Sequence, residues 1–293
     1  MPAIDSLQRF VFEGAAVRGA IVQLDAAWRA ALERREYPDA VATLLGELMA
    51  ASVLLTSTLK LDGALILQIQ GQGPLRLLVA ECAGDLAVRA TAKWNEPLRA
   101  TGLGDLVGDG RFAITLDPKN GGEAYQGVVA LNEPTVAAAL EHYMRQSEQI
   151  DTRLWLACDR THAAGLMIQK MPGVPSHDAD AWQRAGLLAG TIRPDELLRL
   201  DAPTIVRRLF HEEDMRLFER EVVTFRCSCS RDRVANMLRM LGPDEVRGVV
   251  AERSEVEVSC DFCGRRYVFD RVDAEQLFAA DPALSPPTRG PLQ

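Results

Sequence analysis

Four of the six cysteines fall within 37 positions near the C-terminus, in the segments FRCSCSRDRV and EVSCDFCGRRYVF. Cys227 and Cys229 form a C-x-C pair and Cys260 and Cys263 a C-x-x-C pair, with 30 residues between the two. Thiolates are soft donors, and four of them in two close pairs are what a tetrahedral zinc ion takes. Each pair supplies two ligands from one turn, provided that the spacer folds back on itself. Gly264 directly follows Cys263, where a glycine lets the turn wrap tightly round a metal. The same thiols have a second chemistry, because thiolates are nucleophiles toward oxidants and a close pair can close into a disulfide. A Cys-x-Cys bridge is geometrically tight and should be reducible rather than permanent. Oxidation would remove the ligands, eject the metal and take away what folds the unit.

The elements around the cysteines suit that role. Val256 and Val258 lead in and Tyr267 and Phe269 lead out, which predicts a hairpin with the C-x-x-C at its tip. Ser230 predicts the cap of a helix carrying Val234, Met237, Leu238 and Leu241, ended by Gly242-Pro243. A second short helix would group Val246, Val249 and Val250. A unit over 226–272 is of a size at which a hydrophobic core alone is marginal. A structural zinc contributes an apparent ~10–16 kcal/mol, so metal and fold would be one equilibrium.

Upstream, Pro38 opens a helix with Val41, Leu44, Leu45, Leu48, Met49 and Val53 at helical spacing. Strand periodicity then runs through Leu65 to Ile69, Leu75 to Cys82, Leu86 to Trp94, Phe112 to Leu116 and Val128 to Leu131. Asn132-Glu133-Pro134 reads as the cap and first turn of a helix to Gln146, and Arg153 to Cys158 and Leu166 to Lys170 complete the strands. Residues 1–175 are therefore predicted as an α+β domain, a mainly antiparallel sheet with flanking helices, and short connections favour a meander. Residues 176–225 read as a helical linker, with helices over 180–188, 194–200 and 203–220, the last a densely charged amphipathic segment. Residues 273–293 read as a tail, and Asp281 to Gln293 holds four prolines, a composition that predicts disorder.

Composition narrows the function. Of 293 residues, 47% are hydrophobic and 25% charged, which excludes wholesale disorder and a membrane-spanning bundle. Val41 to Leu55, interrupted by Gly46 and Glu47, reads as too short to cross a bilayer. The start of the chain shows no basic residue followed by an unbroken apolar run, so the expectation is a cytoplasmic protein without a signal peptide. In a reducing compartment clustered cysteines more often bind metal or do redox chemistry than form permanent staples. With 33 Lys+Arg against 41 Asp+Glu the net charge is -8. From Arg226 to Phe269 eight basic residues face seven acidic ones, and zinc with four thiolates adds about -2. A zinc ribbon binding RNA or the ribosome stays open as an alternative, but this charge supports it weakly. So does a thiol-disulfide oxidoreductase, although its C-x-x-C belongs at a helix N-terminus. Cys82 and Cys158 sit in apolar strands and read as inert core thiols. His142, His162, His177 and His211 show no ligand spacing, and no nucleophile elbow, phosphate loop or dinucleotide fingerprint is found.

The blocks F-R-C-S-C-S at Phe225 to Ser230, L-G-P-D-E at Leu241 to Glu245 and E-V-S-C-D-F-C-G at Glu257 to Gly264 carry a resemblance. So do GPLRLLVAE from Gly73, SEQIDTRLWLA from Ser147 and AGLMIQKMPG from Ala164. The chain resembles the heat-shock protein 33 family of redox-regulated holdase chaperones over nearly its whole length, with no departure at the four cysteines. The resemblance implies an N-terminal α+β core, a helical linker, and a C-terminal domain holding one zinc ion on Cys227, Cys229, Cys260 and Cys263. It implies an inactive reduced state. Oxidation would form Cys227–Cys229 and Cys260–Cys263 disulfides, release zinc and unfold the C-terminal region. The product would be an ATP-independent chaperone, often a homodimer, that binds unfolded or oxidatively damaged client proteins under oxidative and heat stress. Such a protein is not an enzyme and needs neither nucleic acid nor membrane.

Overall fold

Alternating apolar residues build two sheets, and one apolar helix fills the space between them. In this computed structural model residues 5–33, 35–98, 101–119, 122–174 and 178–279 are described. The chain forms two compact units, 1–227 and 228–293.

The first unit opens with a hairpin, β1 (Ser6–Phe12) and β2 (Val17–Leu24), followed by α1 (Ala26–Leu32) and α2 (Asp39–Thr56). Strands β3 (Gly63–Gly71), β4 (Leu75–Ala83) and β5 (Ala87–Trp94) come next, then α3 (Leu103–Val107), β6 (Gly110–Pro118) and β7 (Tyr125–Ala130). Helix α4 (Val136–Gln146) precedes β8 (Thr152–Cys158) and β9 (Ala163–Lys170). Helices α5 (Ala181–Ala189), α6 (Pro194–Arg199) and α7 (Ala202–Phe210) lead to β10 (Met215–Val222) and the short β11 (Thr224–Phe225).

The fold is mixed α and β with antiparallel sheets, but the single predicted sheet is two. One has the order β10-β1-β2-β9-β8 and the other β11-β5-β4-β3-β6-β7. Among the described residues only β11, beside β5, runs parallel to its neighbour. The meander holds for β3-β4-β5, after which β6 crosses to the free side of β3, and β8 and β9 join the N-terminal hairpin instead. Hydrophobic periodicity fixes which face of a strand is buried and says nothing about which sheet it joins.

Helix α2 packs against β3, β4 and β5 on one side and β2, β8 and β9 on the other. A helix covered on both sides must be apolar all round, and from Leu44 to Thr56 every residue but Glu47 is buried. By length and composition its 18 residues would suffice to cross a membrane, contrary to the sequence expectation; 78% of it is buried inside the protein, as in a core helix. Gly46 is part of this packing rather than an interruption. A Cβ there would run into Cys158 Sγ and lie 3.2 Å from the Trp28 ring. Helix α4 is capped by the Thr135 hydroxyl, which accepts from the Ala138 N–H at 3.1 Å, three residues beyond the Asn132 cap read from the sequence.

The outer face of the five-stranded sheet carries Phe10, Phe12, Val17 and Ile21, and helices α5 to α7 cover it with Ala185, Leu197, Ile205, Leu209 and Phe210. The helix predicted over 203–220 stops at Phe210. Met215–Val222 is instead an edge strand paired with β1. Met215 and Leu217 turn partly inward while Arg216, Phe218 and Arg220 stay exposed, a two-residue period. Charge on an edge strand also blocks further strand pairing, so dense charge suits this edge as well as it suits an exposed helix.

The second unit contains α8 (Arg231–Leu241), α9 (Pro243–Arg253), the hairpin of β12 (Glu255–Ser259) and β13 (Arg266–Asp270), and α10 (Arg271–Phe278). Val234, Leu238, Val246, Val250, Val256, Tyr267, Phe269 and Ala274 form its core. Helix α10 occupies the start of the predicted tail, because Asp270 caps it by accepting from the Asp273 N–H and Ala274 is buried. The proline-rich stretch from Asp281 lies outside the described residues.

Candidate metal centre

Each of the four cysteines is delivered by a short, well-hydrogen-bonded piece of backbone. Cys227 follows β11, whose Thr224 and Phe225 align with Ala87 and Val88 of β5. The Arg226 N–H donates to the Val88 carbonyl at 3.2 Å, and its guanidinium pairs with Asp85 at 2.6 Å. Cys229 stands one residue before the Ser230 cap of α8, where the Ser230 hydroxyl accepts from the Arg233 N–H. A helix N-terminus favours a thiolate nearby. Cys260 and Cys263 occupy the tip of the β12–β13 hairpin, as predicted. The Cys260 N–H donates to the Arg265 carbonyl at 2.9 Å and the Gly264 N–H to the Cys260 carbonyl at 2.8 Å. Gly264 has φ +66°, a left-handed conformation that costs other residues free energy, so the tip turns there.

The four Sγ atoms lie within 4.8 Å of one another, and all four residues are half-buried. Cys229 Sγ and Cys263 Sγ are 3.4 Å apart. Four sulphurs at ~2.3 Å from a tetrahedral ion stand roughly 3.8 Å apart, so the cluster is close to the size such an ion demands. Four soft donors, with no carboxylate or imidazole in the group, fit zinc rather than a hard cation.

Polar groups surround the sulphurs. The Tyr267 hydroxyl donates to Cys229 Sγ at 3.1 Å; that hydrogen bond holds the phenol proton in place and raises its pKa. Arg265, beside Tyr267 and in the field of Cys229 and Cys263, is held charged more firmly than a free guanidinium. Arg89 of β5 donates from Nη1 to Cys227 Sγ at 3.6 Å and from Nη2 to Glu81 of β4 at 2.6 Å. Neither Arg89 nor Glu81 was assigned a role from the sequence, although Glu81 ends the block GPLRLLVAE. They oppose each other across the β4–β5 hairpin, and that pairing is readable, but Cys227 lies 138 positions from Arg89 and no local pattern joins them.

Among the described residues the other cysteines and histidines stand apart from the cluster. Burial pushes the Cys82 thiol up to about 12 and the Cys158 thiol well above the ordinary range. Both are held as unreactive neutral thiols. His142 pairs with Glu133 at 3.1 Å, His162 lies by Asp159 and Thr161, and His211 is exposed beside Glu212. His177 is outside the described residues.

Residues 5–270 match a family model described as Hsp33 protein. The 33 kDa chaperonin of Methylobacillus flagellatus is 52% identical over 283 residues, covering 96% of this chain and 97% of that one. That of Chromobacterium violaceum is 52% identical over 280 residues, covering 94% and 95%. In fold, the chain is similar to the crystal structure of the 33 kDa chaperonin (heat shock protein 33 homolog) from Thermotoga maritima, with a TM-score of 0.80 over 93% of this chain and 97% of that one at 22% identity.

Proposed function

The chain belongs to the Hsp33 family, and from that premise we propose that it is a redox-regulated, ATP-independent holdase acting in the cytoplasm without catalytic turnover. The observation that carries the reading is the cluster of four sulphurs drawn from two close pairs. In the reduced state Cys227, Cys229, Cys260 and Cys263 would hold one Zn²⁺, which ties the tip of the β12–β13 hairpin to the segment preceding α8 and favours the thiolate form of these cysteines. That unit has a small core of the kind that needs such a staple.

Oxidant meets two pairs of thiolates. Each pair gives two electrons to a hydroperoxide; a sulphur–sulphur bond forms, the oxygen–oxygen bond breaks, and with two protons from solvent the oxidant leaves as water and an alcohol, or as two waters. Cys227 would join Cys229, and Cys260 would join Cys263. Neither disulfide retains the charge that holds a cation, so the second unit loses its cross-link. The side chains of its core then become accessible, together with the apolar face beneath α5 to α7, and provide surface for unfolded client proteins, with the oxidised protein a homodimer.

The test compares reduced and peroxide-treated protein for suppression of the light scattering of a heat-unfolded client, while a chromophoric chelator follows zinc. The reading requires suppression by the oxidised form only, accompanied by zinc release. Equal activity in both states would overturn it.

A further inference from the structure

Cys227 Sγ receives from a strand of the first unit a hydrogen bond that metal binding does not require. Cys227 closes a segment that lies on β5 by few backbone bonds: Thr224 N–H to the Leu86 carbonyl at 3.2 Å and Arg226 N–H to the Val88 carbonyl at 3.2 Å. Immediately upstream, the Val223 N–H donates to the Asp5 carbonyl at 3.0 Å. Two charged side chains reinforce this attachment. The Arg226–Asp85 pair is 56% and 52% exposed, so water and salt screen it. Arg89 and Glu81 are only 13% and 19% exposed, and there a charge-assisted hydrogen bond keeps much more of its strength.

We propose that Arg89 senses the oxidation state of Cys227 and fastens or releases the segment Val223–Cys227 accordingly. The proposal rests on the oxidative switch described above and names the residue that couples it to the first unit. Glu81 opposes Arg89 in register and fixes the guanidinium, so that Nη1 reaches Cys227 Sγ. A thiolate sulphur is a charged acceptor. When Cys227 and Cys229 yield two electrons to a hydroperoxide and bond to each other, the sulphur that faces Arg89 becomes neutral and a poor acceptor. Arg89 keeps Glu81 as its partner, and the segment loses its best-shielded tie. Val223 is buried in the main core and Phe225 packs against it, and β10 ends at Val222. Release at Cys227 therefore pulls on the edge strand and, through it, on the layer of α5 to α7.

Hydrogen exchange read by mass spectrometry on the full, zinc-loaded chain tests this, with amides of β3 and β4 as internal reference. In reduced wild-type protein the amides of 224–226 should be protected, and peroxide should speed their exchange about tenfold or more, the range expected for losing a hydrogen bond to a charged group. Reduced R89Q should show the same acceleration with zinc still bound and all four site thiols intact, whereas R89K should retain protection. Wild-type protection in R89Q overturns the proposal. Should R89Q loosen β3 and β4 as well, C227S against C260S decides. Each removes one sulphur, but only C227S should free 224–226, and equal release from both overturns the proposal. The outcome is separable from the holdase reading, which fails on client aggregation by oxidised wild-type protein whatever R89Q does.

Discussion

Tyr267 offers a way to change the reactivity of the cluster without changing its four cysteines. Its ring belongs to the core of the second unit, and its hydroxyl donates to Cys229 Sγ at 3.1 Å. Tyr267→Phe keeps the ring and removes the hydroxyl, which donates to Cys229 and also accepts from Arg265. A hydrogen bond to a charged group contributes about 1.5–3 kcal/mol. At a half-buried sulphur the lower end applies, about 1.5 kcal/mol, which is close to a factor of ten. The hydrogen bond withdraws electron density from the sulphur, so its loss leaves a stronger nucleophile. Part of that energy is still present when oxidant attacks, and the rate of peroxide-driven zinc release should rise roughly three- to tenfold. The assay is the pseudo-first-order appearance of the zinc–chelator complex at fixed peroxide and pH 7, with thiols counted before and after. An unchanged or slower rate in Y267F, with four site thiols counted at the start, would refute the assignment of Tyr267 as a brake on Cys229.

Three further substitutions probe the scaffold. Gly46→Ala drives a methyl group into Cys158 and Trp28 and should destabilise the first unit by about 1–3 kcal/mol in urea unfolding, leaving zinc content unchanged. Ser230→Ala removes the α8 cap and should cost the second unit about 0.5–2 kcal/mol, read as a lower chelator concentration at half zinc loss. Burial raises the Glu47 carboxyl from 4.5 to about 7. The folded state thus binds its proton more tightly than the unfolded chain, and this contribution is complete below pH 4.5 and lost as pH rises through 7. Glu47→Gln should therefore stabilise the protein relative to wild type at pH 8, with the difference shrinking toward pH 4. Urea midpoints at the two pH values check it.

The cluster was legible in the sequence because its four cysteines come in pairs whose partners are two and three residues apart, and because the residues around them encode their own turns. Ser230, Gly264 and the Val256/Val258 to Tyr267/Phe269 alternation each act within a few positions. The strands from β3 to β9 were legible for the same reason. What escaped depends on distant chain. Membership of two sheets is decided by pairings such as Val17 with Lys170. Residues 215–222 satisfy a helical as well as a strand pattern, and β1 selects the strand by offering its free edge. Gly46 looks like a break in an apolar run until Cys158 is placed against it. Arg89 is an ordinary strand residue until Cys227 arrives beside it.

The central claim is that the four thiols and the holdase activity are one switch. Its most direct measurement is a peroxide titration in which remaining site thiols, released zinc and suppression of client aggregation are read from the same samples. The account predicts that activity rises in step with zinc release, reaching its maximum when four thiols have been lost for each zinc freed, and that dithiothreitol with zinc reverses all three. Full activity while zinc stays bound to four reduced thiols would contradict it.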